Sequence, residues 1–246
     1  MARALGIIPA RYASTRFPGK LLAPLSGKPI LQHVYERAAR ARLLDAVWIA
    51  TDDDRIARAA ERFGARAVMT SPDHATGSDR VAEAAALPEA RDVEIVVNVQ
   101  GDQPLIEPVA LDGLVTALAG DPSLGMATLY EPIGSERDLR DPNVVKVVAD
   151  RRMNALYFSR STIPHAAGGG ATAHWKHVGV YAFRKSFLFE FGRLERGPLE
   201  RAESLEQLRV LEAGLPIRLV PSAGSSASVE TPADLDRIRD MMSMAG

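Results

Sequence analysis

The chain has 246 residues, 46% apolar and 25% charged, which is enough for one sizeable α/β domain or two small ones with a full core. Its formal charge is −1, with 30 basic and 31 acidic residues spread along the length, which excludes the concentrated basic face of a nucleic-acid binder. There is no cysteine, so disulfides, thiolate nucleophiles and cysteine-based metal sites are excluded, as the cytosol allows.

The first apolar run, Ala4 to Ile8, reads as a buried strand ended by Pro9 and Ala10. It is too short for a signal peptide and runs directly into Arg11 and Arg16. No stretch approaches the ~20 apolar residues of a membrane span. The expectation is a soluble, cytoplasmic protein with no membrane insertion. The loop that follows carries Arg11, Arg16 and Lys20 among Ser14, Thr15, Pro18 and Gly19. Three cations on a loop at a strand's carboxyl end suit a polyphosphate, although a solvated basic turn has the same composition. GxxxxGK(S/T) is absent, since Leu21 follows Gly19-Lys20, and no GxGxxG follows the strand.

Ile30 to Ala41 has one apolar face and reads as a helix. Asp45 to Thr51 reads as a second strand, and one of Asp52, Asp53 and Asp54 caps a helix reaching Phe63. Ala65 to Met69 is a third strand. Ser78, in SPDHATGSDR, is placed to cap a helix running to Leu87. Glu94 to Val99 is a fourth strand, followed by Gln100-Gly101-Asp102-Gln103-Pro104. Strands alternating with helices imply right-handed crossovers and a largely parallel sheet. Beyond this, Gly125 to Glu131, Val144 to Ala149, Ala155 to Phe158 and His174 to Arg184 read as strands, with GlyGlyGly at 168–170 as a loop. Lys185 to Arg193 and Pro198 to Glu212 read as helices, Ile217 to Pro221 as a last strand, and Thr231 to Met244 as a closing helix with Thr231 as N-cap. With no repeat and no low-complexity linker, residues 1–246 read as one domain, with 130–185 as a possible appended β-rich sub-domain for dimerisation or substrate.

Asp102 follows an apolar strand directly, at the sheet edge that also carries the opening loop, where it can bind a hard cation such as Mg²⁺ or cap the turn before Pro104. Glu230, just before the last helix, is its candidate partner carboxylate, with interaction with that helix's N-terminus as the alternative. His177 and Tyr181, four apart in a strand, face one side. Arg160 can hold a carboxylate bidentately. Glu206 and Gln207 open a helical segment. Taken alone each is weak, and a single histidine on an apolar strand is commonly a core residue. Five histidines without HExxH or paired spacing argue against zinc, and the absence of GxSxG argues against a nucleophilic hydrolase.

The segments IIPARYASTRFPGK, TSPDHATGSDR, VNVQGDQP, NVVKVV, ALYFSR, KHVGVYAFR, LEQLRVL and VETPADL occur in that order between residues 4 and 238. Together they resemble the 3-deoxy-manno-octulosonate (Kdo) cytidylyltransferase, or CMP-Kdo synthetase, family. The opening loop marks the wider nucleotidyltransferases; ALYFSR, the His177–Tyr181 strand and LEQLR mark the Kdo enzymes. The resemblance implies a Rossmann-like nucleotidyltransferase fold with helices on both sheet faces, a homodimer, a role in lipopolysaccharide biosynthesis, and the reaction of CTP with Kdo to give CMP-Kdo and diphosphate with Mg²⁺. It implies that Pro9, Ala10 and Arg11 frame the nucleotide, that Ser14, Arg16 and Lys20 hold the triphosphate, and that Arg80 faces the nucleotide. It makes Asp102 a Mg²⁺ ligand and Arg11, Lys20 and Asp102 the catalytic set. Gln100, Arg160, His177, Tyr181, Glu206 and Gln207 would position the eight-carbon acidic sugar. Gln103 stands where the family usually has Glu, and Glu230 where it usually has Asp. These changes bear on metal geometry, and they leave an 8-amino analogue of Kdo, a sialic-acid-like sugar, or a catalytically weak CTP-binding regulator as rival readings.

Overall fold

The computed structural model describes residues 2–13, 17–167, 172–224 and 226–244. In chain order its elements are β1 (Ala4–Ala10), β2 (Pro24–Leu25), β3 (Lys28–Pro29), α1 (Ile30–Ala38), β4 (Ala46–Thr51), α2 (Asp54–Arg62), β5 (Arg66–Met69) and α3 (Gly77–Ala85). There follow β6 (Ile95–Asn98), α4 (Pro108–Gly120), β7 (Met126–Pro132), α5 (Glu136–Arg140), β8 (Lys146–Ala149), β9 (Ala155–Ser159) and β10 (Trp175–Arg184). The chain closes with α6 (Lys185–Phe191), α7 (Pro198–Glu203), α8 (Leu208–Glu212), β11 (Ile217–Pro221) and α9 (Pro232–Met244).

β1 and β6 are apolar runs buried on both faces, as central parallel strands must be. Ile7 and Ile8 show how the pleat serves both layers. Ile8 joins Leu31 and Val34 of α1 and Leu111 and Leu114 of α4 on one face. Ile7 joins Val81 of α3 and Phe187 and Phe191 of α6 on the other. The strand order is β11-β7-β10-β6-β1-β4-β5, with β8 paired to the start of β10 and β9 to β8. β1 is parallel to β4 and β6, β4 to β5, and β7 to β11. β10 runs antiparallel to both β6 and β7, so the parallel sheet is interrupted by one reversed strand. The chain moves from β1 outward through β4 and β5, then returns to the other side of β1 with β6. That reversal opens a crevice at the carboxyl ends of β1 and β6, where open α/β sheets bind ligands.

Several local expectations change. α3 is capped by Thr76 and not by Ser78: the Thr76 hydroxyl accepts from Asp79 N, and the Asp79 carboxylate accepts from Thr76 N. Among the three acids after β4, Asp53 is the N-cap of α2. The helix expected over 198–212 is two helices, because Ser204 takes a left-handed φ of 52° between them. α4 was not separated from its surroundings by periodicity, being apolar nearly all round. The glycine run at 168–170 lies outside the described residues.

Candidate active site

β1 delivers Pro9 and Arg11 to the crevice, and the following loop turns back through Gly19. Gly19 has φ 70°, and a Cβ there would lie 3.1 Å from the Tyr12 hydroxyl, so both conformation and space require glycine. Its N–H donates to Tyr12 O at 3.1 Å, which closes the loop. The Arg55 guanidinium lies 3.3 Å from the Tyr12 ring centroid and holds that ring from α2. The short 3₁₀ turn Lys20–Leu22 then aims Lys20 across the crevice.

Asp102 meets it there. Gly101 lets the β6 loop approach β1, since a Cβ would sit 3.3 Å from both Pro9 O and Leu21. Lys20 Nζ donates to Asp102 Oδ2 at 2.7 Å and stands 3.9 Å from Glu230 Oε2. The third group of the cluster arrives from the far end of the chain. Val229 N donates to Asp102 O at 2.9 Å, and Val229 is fully buried with Leu105, Leu235 and Ile238. Asp234, rather than Glu230, serves the start of α9: its Oδ2 accepts from Glu230 N, Thr231 N and the Thr231 hydroxyl, while Thr231 Oγ1 accepts from Asp234 N as an N-cap should. The Glu230 carboxylate is therefore directed at Lys20.

Two cavities meet at this cluster. The first encloses about 450 Å³ and is walled by Pro9, Arg11, Lys20, Gly77, Arg80 and Gly101. The second encloses about 390 Å³ and is walled by His177, Tyr181, Glu206 and Gln207, with Asn143, Lys176 and the 226–228 loop. Gln100, Asp102 and Glu230 belong to both walls. Volumes of several hundred Å³ are the usual size of small-molecule sites. Basic side chains dominate the first cavity and polar neutral and acidic ones the second, so together they suit two different ligands meeting at Asp102.

In the first cavity Arg80 is wholly buried on α3, with Nη2 3.0 Å from Asp52 Oδ2 and Nη1 donating to the Thr70 hydroxyl. Among the described residues its Nε has no hydrogen-bond acceptor and its Nη2 meets Asp52 only as an ion pair, so the buried guanidinium is not fully paired. Arg11 donates to the carbonyl of His74, which ties the 71–76 loop to the cavity mouth. Ala10 is buried beneath the cavity and is not part of its wall. Ser14 and Arg16 lie outside the described residues.

In the second cavity His177 and Tyr181 do lie together, with ring centroids 5.5 Å apart, although a bulge between Val178 and Tyr181 interrupts the regular strand. Thr128 donates to the carbonyl of Val180 at 2.9 Å, so its oxygen accepts from His177 Nε2 at 2.9 Å. His177 Nδ1 is then an acceptor, 3.5 Å from Gln207 Nε2, and Gln207 Oε1 accepts from the Tyr181 hydroxyl at 3.2 Å. Burial pushes the His177 pKa down to about 3 and raises that of Tyr181, so both are neutral at physiological pH. Burial likewise raises the Glu206 carboxyl, opposed by the hydrogen bond from Ser78 at 2.8 Å and by Arg209.

Arg160 departs from its expected place. Its Nε donates to Glu203 O at 2.7 Å and its Nη1 to Pro142 O at 2.9 Å, and it belongs to neither cavity wall. Sequence reasoning in turn missed Lys176 and Asn143 as wall residues, and it read Ser78 as a cap although its hydroxyl donates to Glu206. Lys176 stands beside His177 in the strand, and period-two alternation assigns neighbours to opposite faces; the cavity sits at the sheet's end, where both are in reach. For a metal, no group of three His, Asp or Glu is assembled among the described residues. Asp102 and Glu230 flanking one ammonium match Mg²⁺, which uses one or two carboxylates and completes its shell with water and substrate phosphates.

The pattern of the cytidylyltransferase family matches residues 5–218. The chain is 52% identical over 248 residues to the 3-deoxy-manno-octulosonate cytidylyltransferase of Geobacter metallireducens, covering 96% of each. It is 50% identical over 230 residues to the 8-amino-3,8-dideoxy-manno-octulosonate cytidylyltransferase of Shewanella frigidimarina, covering 93% of this chain and 94% of that one. Its fold superposes on the structure of a CMP:2-keto-3-deoxy-manno-octonic acid synthetase complexed with CTP, with a TM-score of 0.94, 42% identity and full coverage of both chains. The chain belongs to the cytidylyltransferase family, among the 3-deoxy-manno-octulosonate cytidylyltransferases and their 8-amino relatives.

Proposed function

We propose that the protein transfers a cytidylyl group from CTP to Kdo, forming CMP-Kdo and diphosphate for lipopolysaccharide assembly. The observation that carries this reading is the junction of the two cavities at Lys20, Asp102 and Glu230. In it the triphosphate lies against Arg11, Lys20 and Arg80, with Ser14 and Arg16 of the same loop assigned to the triphosphate as well. The sugar lies against Gln100, His177, Tyr181, Glu206 and Gln207. The sugar's anomeric hydroxyl attacks the α-phosphorus in line and gives up its proton to solvent water, the bond from that phosphorus to the oxygen shared with the β-phosphate breaks, and diphosphate leaves. Positioning and charge neutralisation supply most of the acceleration in such transfers. Lys20 neutralises phosphate oxygens, and the neutral His177–Gln207–Tyr181 chain orients sugar hydroxyls without demanding a proton. Asp102 and Glu230 would hold Mg²⁺, which, when bound, screens the phosphate charge. A cytoplasmic homodimer, with 130–185 as the segment to probe for the dimer contact, completes the proposal.

The test is diphosphate release from CTP with Kdo, 8-amino-Kdo and a sialic acid, with and without Mg²⁺. Turnover with Kdo is expected. The 8-amino sugar is the second reading because relatives named for either sugar match at nearly equal identity. Replacing Asp102→Asn is expected to lower turnover ~10²-fold or more with CTP still bound, the scale of losing one preorganised electrostatic group. Equal, slow rates for wild type and variant with CTP bound would instead identify a binding protein.

A further inference from the structure

We propose that Lys176 recognises the carboxylate of the acidic sugar, an inference that rests on the reaction proposed above. The second cavity presents such an anion with a charge problem. Asp102, Glu206 and Glu230 line it, and an entering carboxylate is repelled unless a cation faces it. His177 does not supply one, because burial keeps the ring neutral. Lys20, at the border, is already held between Asp102 and Glu230. Arg160 is not among the lining residues and spends its Nε and Nη1 on the carbonyls of Glu203 and Pro142. Among the described lining residues, Lys176 is the one that carries a positive charge.

The strands around β10 show how that charge is kept available. Lys176 is in register with Glu131 of β7 on one side and Lys146 of β8 on the other. Two opposed lysines would repel, but Lys146 is turned to a different task. It is fully buried and donates to the carbonyls of Asp141, Val144 and Arg160 at 2.8, 2.8 and 2.9 Å, which uses all three of its donors. Those bonds pin the 141–145 loop, whose Asn143 and Val144 also line the cavity. The Lys176 side chain stays partly open, 26% exposed, with one ion-pair partner among the described residues, Glu131 Oε1 at 2.5 Å. A single carboxylate oxygen leaves donors over for a second anion. Glu131 thus holds the ammonium at the wall of the cavity while leaving it able to bind.

The experiment compares Kdo with its neutral methyl ester at saturating CTP, in wild type, Lys176→Met, Lys176→Arg and Arg160→Met. A charge-assisted hydrogen bond of the usual strength predicts that Lys176→Met raises the KM for Kdo about 10–100-fold. The KM for the ester and for CTP should stay within about twofold, with Lys176→Arg restoring most of the loss. A purely structural role would harm acid and ester alike, so the ratio between them is the deciding quantity. If Lys176→Met keeps the wild-type preference for acid over ester, or if Arg160→Met abolishes it, the assignment is wrong while the reaction stands. If wild type neither binds nor turns over any acidic sugar, the reaction itself is wrong and this inference goes with it. Thermal melting and CTP binding of each variant confirm that it has folded.

Discussion

At the scale of single residues the site is a set of charges held in place by neighbours that are themselves fully used. Lys20 sits between Asp102 and Glu230, and Thr128 and Gln207 set the orientation of His177. Asp102 and Lys20 were legible from the sequence because each follows a buried strand within a few residues, and a strand end has a known position. Arg160 was not, because a long side chain at a strand end has several carbonyls within reach, and the nearest ones took it. His177 gives a direct test of burial. Its pKa is pushed from 6.5 to about 3, so the unfolded chain takes up a proton below pH ~6.5 that the folded chain refuses until pH ~3. The contribution of this group to stability is complete above that window and falls as pH drops through it. Urea unfolding of wild type between pH 7 and 4 should therefore lose stability more steeply than His177→Gln, by up to ~1.4 kcal/mol per pH unit. Parallel slopes would show that the ring is solvated.

At the scale of elements, the strands, the start of α1 and both ends of α9 were readable, and the break inside 198–212 was not. β11 falls at Ile217–Pro221 as the pattern predicts, whereas the helix over 198–212 is broken at Ser204. Helical periodicity continues through the break, so composition gives no sign of it. What holds the two pieces in register is a buried pair: Arg209 of α8 donates through Nε and Nη2 to the two oxygens of Glu200 of α7, at 2.7 and 2.6 Å. Phe191 lies against the guanidinium, 4.8 Å from ring centroid to Arg209 Cζ. The pair positions the Leu205–Gln207 turn that lines the second cavity. Arg209→Met leaves the buried Glu200 carboxylate facing only Arg196, whose Nε lies 3.4 Å from Oε1, and chemical denaturation should show a loss approaching the ~3–5 kcal/mol of a broken buried pair. Adding Glu200→Gln should recover most of it. A loss of under ~1 kcal/mol in the single variant would mean that Arg196 or water takes over the carboxylate.

At the scale of the whole molecule, the reversal of strand order at β1 creates the crevice, and the closing segment completes it by bringing Glu230 against Lys20. In the proposed reaction both carboxylates already face an ammonium, so Mg²⁺ would bind tightly only with substrate phosphates in place. Chelation with EDTA should therefore abolish diphosphate release while leaving the thermal midpoint of the protein without CTP unchanged. Mg²⁺ should raise that midpoint only when CTP is present. A Mg²⁺-dependent midpoint without nucleotide would point to a preformed metal site. The amino-acid sequence by itself determined the alternation of strands and helices and the carboxyl-edge loops, which follow from local periodicity, and it carried the family through the resemblance of its ordered motifs. Tertiary structure alone decided the reversed direction of β10, the break at Ser204, the diversion of Arg160 and the placing of Lys176 on the second cavity. Each of these depends on which groups from distant segments come within hydrogen-bonding or Coulomb range, and local pattern carries no record of that.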